Sequence, residues 1–437
     1  MAHRLVLQTL GAGALALAAT QTAAAAPLHV AHMDGLHGDP VDTGAFALYW
    51  NPAALAEPGM LLGANAFLAL RTATYNRDAA LNNVAPEEAS ANAGQASIHT
   101  AGLIPALAFR HGIEGVGGVV DVGYGVGFYI PFAGVANWER HPEAPNEYPG
   151  AYDGPQRWAT IQSRFLVEAV SAGVAVAHRP TGLSLGVAPV LYFASLSTVR
   201  ARDVDRTDDL LDADGHLKEG RIFFEASDIA VGVDVGLRWD WSKHGGVAVT
   251  WNEVPEFMLD GKSQVAYGTA RPFTLPATLP FPLPDFVRVG GHFDLGGYTL
   301  RPTVEWSQWS IMKRQVAHAK SGGTKLLEIE RRFDDVIGAR LRCDSPTWAG
   351  FQVTLGAGYD TAPTPTKTHE PGLAEAQGLT AELGVDYTLA GGTRFALGAQ
   401  GQHFLDRNVK DSIQKPTTNG RYTDNRLFLT FDVGVPL

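Results

Sequence analysis

Apolar and polar residues alternate with a period of two along most of this chain, the pattern of strands with one apolar face. Residues 229–241 show it in full. Ile229, Val231, Val233, Val235, Leu237, Trp239 and Trp241 share one face; Asp228, Gly232, Asp234, Gly236, Arg238 and Asp240 share the other. The pattern recurs at 377–389, where Leu379, Ala381, Leu383, Val385, Tyr387 and Leu389 oppose Thr380, Glu382, Gly384, Asp386 and Thr388. It also ends the chain, with Leu427, Leu429, Phe431, Val433, Val435 and Leu437 against Thr430, Asp432 and Gly434. Fourteen such segments are predicted: 59–72, 100–110, 118–130, 161–177, 182–198, 227–240, 244–258, 285–295, 298–310, 333–344, 348–360, 376–389, 392–405 and 422–436.

Most of these segments are longer than the usual strand of about 5–6 residues, and they suit a tilted crossing of a bilayer. Their connections alternate. Long ones follow odd members: 73–99, 131–160, 199–226, 259–284, 311–332, 361–375 and 406–421. Tight ones follow even members, as at His178–Thr181, Ser242-Lys243, Gly296-Gly297, Pro346-Thr347 and Ala390-Gly391. An even count with long external loops and short turns predicts an all-β fold, a transmembrane antiparallel β-barrel of about 14 strands. The apolar faces would meet lipid, and Trp239, Trp241, Trp306 and Tyr359 would sit in the aromatic girdles.

Composition agrees. Charged residues are 18% of the chain, below the roughly 25% of ordinary soluble domains, and glycine is abundant at 49 of 437 residues. A net charge of −11 argues against nucleic acid as a partner. Cys343 stands alone, so no internal disulfide and no thiolate metal cluster can form. His3 and Arg4, the apolar stretch Leu5–Ala19 and the small residues Ala23–Ala26 predict a secretion signal peptide over 1–26. No later stretch reaches the ~18–20 apolar residues of a membrane-spanning helix.

Residues 27–58 carry no strand pattern and hold Gly35, Gly38, Pro40, Gly44, Pro52 and Pro58. Irregular backbone cannot face lipid. This segment is therefore predicted to be an N-terminal plug, or hatch, inside the lumen of a barrel formed by 59–437. Within it lies Asn51-Pro52-Ala53, a turn-starting motif in which Asn51 is expected to fix the plug's shape.

Signal peptide, Asn-Pro-Ala segment and fourteen alternating strands together resemble the FadL/TodX family of outer-membrane transporters of long-chain fatty acids and other hydrophobic compounds. Four further stretches carry the likeness: Gly123–Gly127 running into Pro131-Phe132-Ala133-Gly134, Leu183–Pro189, Val304–Ser310, and Gly356–Asp360 followed by Pro363 and Pro365. The likeness spans the mature chain, though Leu437 stands where such barrels usually end in an aromatic residue. The resemblance implies transport of hydrophobic molecules, most of all long-chain fatty acids, with capture on the outside, a lumen pocket and a plug-gated lateral exit at a kinked third strand. It implies an outer-membrane location in a Gram-negative bacterium, with lipid, lipopolysaccharide and the barrel assembly machinery as partners and a monomeric state.

Candidate residues follow. The stretch 259–284 holds Phe273, Leu275, Leu279, Phe281 and Leu283 among four prolines, which predicts an irregular, apolar external loop that captures ligand or packs on its neighbour. The resemblance implies a capture groove between the third and fourth external loops, and this is the fourth. Gly123, Gly125 and Gly127 weaken the third strand, with Asp121 on the same side. They either form a lateral gate or make room for the plug. A fatty carboxylate needs a cation. Of the arginines assigned to the inward face, Arg164 and Arg288 fall nearest the outer strand ends and are the candidates; Arg238, Arg301, Arg340 and Arg394 are expected in lumen ion pairs. Asp212-Ala213-Asp214-Gly215 in the charged third loop hints at calcium but lacks the remaining ligands, so no metal and no cofactor is expected. No nucleophile motif or zinc-type histidine pair is present, which excludes the common enzyme classes. The main alternative is a diffusion porin for small polar solutes; a purely structural barrel is a further one.

Overall fold

The computed structural model describes residues 28–33, 36, 38–203, 205–268, 270–373 and 375–437. The predicted signal peptide lies outside the described residues. Eighteen strands form one antiparallel sheet. In chain order they are β1 (Gly59–Arg77), β2 (Gly94–Val116), β3 (Val120–Asn137), β4 (Gln162–His178), β5 (Leu183–Arg202), β6 (Gly220–Ser242), β7 (Gly245–Glu253), β8 (Phe257–Ala266) and β9 (Phe273–Phe281). Then follow β10 (Phe286–Leu295), β11 (Tyr298–Ser307), β12 (Arg314–Ala319), β13 (Lys325–Glu330), β14 (Val336–Asp344), β15 (Phe351–Asp360), β16 (Gly378–Thr388), β17 (Arg394–Val409) and β18 (Gly420–Pro436).

Eighteen strands make fourteen crossings of the wall. The pairs β7/β8, β9/β10, β11/β12 and β13/β14 are each the inner and outer halves of one crossing. β6 shows this directly: its inner half pairs with β7, as in Leu237↔Val249, and its outer half with β8, as in Arg221↔Ala266. The last strand returns to the first, from Leu61↔Pro436 to Arg77↔Gly420, so the barrel closes without an edge. Tight turns need glycine where the chain reverses in two residues: Gly296 and Gly297 take φ of +62° and +91° between β10 and β11.

The apolar faces point outward, as the alternation predicts. Ile229 and Val231 are 59% and 65% exposed, whereas Asp234 on the opposite face is fully buried. Leu379, Leu383, Leu427, Leu429 and Phe431 are likewise exposed, and Thr380, Glu382, Thr430 and Asp432 buried. Among the described residues no helix is long and apolar enough to cross a membrane.

Two predicted loops are strands instead. The segment 259–284 forms most of the β8–β9 hairpin, registered from Phe257↔Phe281 to Val265↔Phe273. Its prolines do not forbid pairing. Pro276 and Pro280 lie opposite Lys262 and Met258, on a strand whose other side pairs with β12 at Thr278 and Ala277 and takes one further bond, from the Lys320 N–H to the Pro276 carbonyl. Proline is tolerated on such sparsely paired strands because few donors are missed. The segment 311–332 is largely the β12–β13 hairpin. Both extend the wall beyond the inner halves of their crossings. The strand boundaries near β2 also move outward, to Gly94 from the expected 100.

Inside the wall, 38–58 is almost wholly buried. Ala47–Trp50 makes one helical turn and Pro52–Ala56 a 3-10 turn, with proline at the first position, where no backbone donor is needed. This is the plug in the lumen.

Candidate functional site

Asn51 joins plug to wall. Its Oδ1 accepts the backbone N–H of Ala53 at 3.0 Å, capping the 3-10 turn, while Nδ2 donates to the carbonyls of Pro40 at 2.9 Å and Leu237 of β6 at 3.2 Å. Thr250 Oγ1 donates to the Trp50 carbonyl at 2.7 Å and Asn252 Nδ2 to that of Tyr49 at 3.2 Å. The wall is shaved to receive these turns. A Cβ on Gly236 would lie 1.8 Å from Asn51 Oδ1, and one on Gly186 would lie 2.3 Å from the Pro52 carbonyl carbon.

The glycines of β3 serve the same seat. A Cβ on Gly123 would fall 1.9 Å from the Leu55 carbonyl oxygen; Gly125 and Gly127 face Leu55 and Leu48. All three are paired with β2, opposite Gly112, Arg110 and Ala108. Asp121 lies at the inner end, where it accepts the Gly115 N–H at 2.8 Å and meets Arg179 at 3.3 Å, closing a turn. The interruption in the wall comes further out. β2–β3 pairing stops at Leu107↔Phe128, and β3 bulges against β4 between Tyr129 and Phe132. There His29 bridges to Phe132, and Val30 N–H donates to the Pro131 carbonyl at 2.9 Å. Val30 packs with Phe67, Ile104, Ile130, Leu166 and Phe428. The leading segment thus fills the unpaired stretch.

The predicted capture residues divide along the β9 crossing. Phe273, half exposed, and Leu275 line a rim groove of about 320 Å³ with Val265, Tyr267 and Leu326. Leu279 and Phe281 are buried further in and line a lumen cavity of about 120 Å³ with Leu28, Phe165, Leu196 and Leu327. Phe281 stacks on Phe165, ring centres 4.6 Å apart. Leu283, just past β9, belongs to the packed core rather than to either space.

Of the two arginine candidates, Arg164 faces outward and is exposed, because β4 carries its outward residues at even numbers, as with Val170 and Val174. Its inward assignment fails with the phase of that strand. Arg288 faces inward but is fully buried against the plug. It meets Glu305 at 2.5 Å and Tyr49 Oη at 3.3 Å, and also donates to Asn252. Arg238, Arg301 and Arg340 pair with Asp240, Asp344 and Asp360 at 2.7, 2.7 and 3.0 Å, and Arg394 pairs with Asp386.

The cavity has cations that the sequence reading missed. Arg71, Arg200, Arg331 and Arg426 all line it. Arg71 meets Asp424 at 3.0 Å, Arg331 meets Glu370 at 2.7 Å, and Arg426 meets Glu375 at 2.8 Å. Burial pushes the Glu375 carboxyl up to about 8 despite Arg426, and pushes its loop neighbour His369 down to about 3. Arg200 makes no ion pair among the described residues. It donates to the Trp158 carbonyl, and its Nη1 is buried without a protein acceptor. One signal could have found this cavity. Where Val190, Tyr192, Ala194 and Leu196 turn inward, β5 is apolar on both faces, which marks an oily lumen wall.

External loops tie down over this space. Arg157, fully buried, reaches Glu219 at 3.1 Å, the Ala91 carbonyl at 2.7 Å and Asn92 Oδ1 at 2.7 Å, and so links three loops. Arg157→Ala removes the link between the three loops and leaves Glu219 to Arg221 alone, and is expected to cost ~1.5–3 kcal/mol locally. Limited proteolysis should then cut within 138–161 while the barrel stays intact; protected loops would show that the link is dispensable. In the third loop, Lys218 meets Asp203 at 3.1 Å and Asp205 at 3.0 Å. Asp212, Asp214 and His216 bring ligand atoms within 4.8 Å of one another, all exposed, and Asp212 already caps its own turn through the N–H groups of Asp214 and His216.

A closed barrel with apolar strand faces outside, a plug inside and an oily cavity under its loops defines the class: a plugged transmembrane β-barrel. No protein-family model matches the sequence, and no curated protein does. Solved structures do match in fold. A Pseudomonas aeruginosa FadL homologue aligns with a TM-score of 0.74 at 14% identity, covering 96% of this chain and 99% of that one. The Ralstonia pickettii toluene transporter TbuX gives 0.63 at 16%, covering 93% and 97%, and the P. putida toluene transporter TodX gives 0.65 at 13%, covering 91% and 95%. The fold is therefore that of these FadL- and TodX-type barrels.

Proposed function

We propose that this protein carries hydrophobic small molecules across the outer membrane of a Gram-negative bacterium. One observation supports this most: Phe273, Leu275, Ala277, Leu279 and Phe281 alternate along a single strand from the rim groove to the lumen cavity. An apolar solute gains about 25 cal/mol for each Å² it removes from water, so a continuous apolar rail favours entry and inward movement. The plug blocks passage straight down the lumen. The exit that fits best is sideways, through the unpaired wall at Tyr129–Phe132, once Val30 withdraws. The β3 glycines seat the plug beside it.

Arg200 favours a carboxylate-bearing ligand, such as a long-chain fatty acid, because it makes no ion pair among the described residues, whereas Arg71, Arg331 and Arg426 in the same cavity are each paired with a carboxylate. The cavity volume favours a second reading. About 120 Å³ is near the roughly 150 Å³ that accepts one benzene ring, and the neighbours TbuX and TodX are toluene transporters. Arg200→Leu separates the two. With fatty acid as ligand, uptake of radiolabelled oleate should fall about tenfold or more, as for loss of a charge-assisted hydrogen bond, while toluene entry persists. Unchanged oleate uptake in a correctly assembled variant rules out the carboxylate role. A diffusion porin would instead conduct steadily in planar bilayers.

A further inference from the structure

The lumen has two unlike walls. Inward residues from β4 to β9 are mainly apolar, among them Val167, Tyr192, Phe224, Leu259 and Leu279. Those of β14 to β18 are mainly polar and fall into registered rungs. One rung runs Arg340–Gly358–Thr380–Gln402–Arg426 and the next Arg342–Gly356–Glu382–Gln400–Phe428. Two more follow towards the inner rim: Asp344–Thr354–Gly384–Gly398–Thr430, and Gln352–Asp386–Ala396–Asp432.

These rungs join two spaces. Arg426 lines the lumen cavity at the outer end. Asp344, Thr354, Gly384, Asp386 and Asp432 line a polar chamber of about 380 Å³ at the inner rim. Between them the polar atoms are under-satisfied by the protein. On the first rung Arg340 Nε and Nη1, Thr380 Oγ1, Gln402 Oε1 and Arg426 Nε find no protein partner; on the second neither oxygen of Glu382 does. So many unmet buried groups in one stripe are costly unless something small satisfies them.

The chemistry of the set selects the occupant. Donors and acceptors are interleaved, so it must both donate and accept. Arg340 repels a bare cation and Glu382 a bare anion. Water meets both demands, and Gly356 and Gly358 make room for the Glu382 and Arg340 side chains that would hold it. We propose that the stripe holds a file of water molecules linking the lumen cavity to the inner chamber, and that the protein conducts water along β14–β18 while the plug seals the rest of the lumen. This goes beyond ligand transport and does not rest on it. It also gives water displaced from the cavity a route inward.

Stopped-flow osmotic shrinkage of proteoliposomes tests the proposal. Wild-type barrels should raise water permeability well above that of protein-free vesicles of the same lipid. The double variant Thr380→Val, Gln402→Leu should lower the increment about tenfold, since each substitution removes hydrogen bonds that hold the file. Neither residue lines the ligand cavity, and neither bonds to the plug among the described residues, so plug closure in planar bilayers should be unchanged. Wild-type permeability no greater than that of bare vesicles overturns the proposal, as does a folded double variant that passes water as fast as wild type. Should the variant not assemble, high-resolution density of the wild type decides. Ordered waters on Thr380, Glu382 and Gln402 are expected, and a dry stripe overturns it.

Discussion

Gly236→Val is expected to unseat the plug and leave the barrel standing. Valine suits a strand, and nothing in the pairing of β6 with β5 and β7 requires glycine at 236. The obstacle is the plug. The first added carbon would lie 1.8 Å from Asn51 Oδ1 and 3.0 Å from Pro52 Cδ. Overpacking costs about 1–3 kcal/mol, and displacing Asn51 also forfeits its hydrogen bonds to Ala53, Pro40 and Leu237, each worth about 1 kcal/mol. The milder Asn51→Ala loses only those bonds and should impair transport with less opening. The readouts are separate. Heat-modifiable migration in detergent gels should show a folded barrel, and planar-bilayer conductance should change from nearly closed to steadily open. Conductance that stays closed in a folded Gly236→Val barrel would show that the seat yields without releasing the plug.

The second large effect is expected at Phe281. Its ring is buried, stacks on Phe165 and faces the lumen cavity. Phe281→Ala removes a contact worth ~2–3 kcal/mol to an apolar ligand, which is a loss of about 30- to 150-fold in affinity. Phe273→Ala, at the half-exposed rim, should act differently: slower capture with little change in equilibrium affinity. Ligand binding to purified barrels by calorimetry, alongside initial uptake rates, distinguishes the two. Equal affinity losses at both positions would mean that groove and cavity are one site, not two stations on a rail.

Much of the architecture was legible because it rests on local alternation. In β6, every second residue from Ile229 to Trp241 is apolar, and a barrel in lipid has only one way to orient such a face. The tight turns were equally legible at Gly296-Gly297, where a two-residue reversal needs positive φ. The β9 crossing was misread because proline was taken to exclude pairing. Whether a missing N–H matters depends on the neighbouring strand, which is not a local property. Arg164 was misplaced because β4 is apolar on both faces, Phe165, Val167 and Ala169 against Leu166, Val170 and Val174, so alternation alone leaves its phase open, and a one-residue shift exchanges the faces.

Strand alternation, the long–short rhythm of connections and the unpatterned leader are enough to specify a plugged barrel, since each follows from nearest-neighbour geometry and the need to hide backbone from lipid. Which cavity arginine lacks an ion pair among the described residues, where the wall loses its hydrogen bonds and which glycines cradle Asn51 were decided only by closure of the barrel. Closure sets the register between strands far apart in the chain, bringing Arg200 to a cavity with Leu279 and Gly236 to within touching distance of Asn51. Those contacts depend on distances through the lumen, which no local pattern encodes.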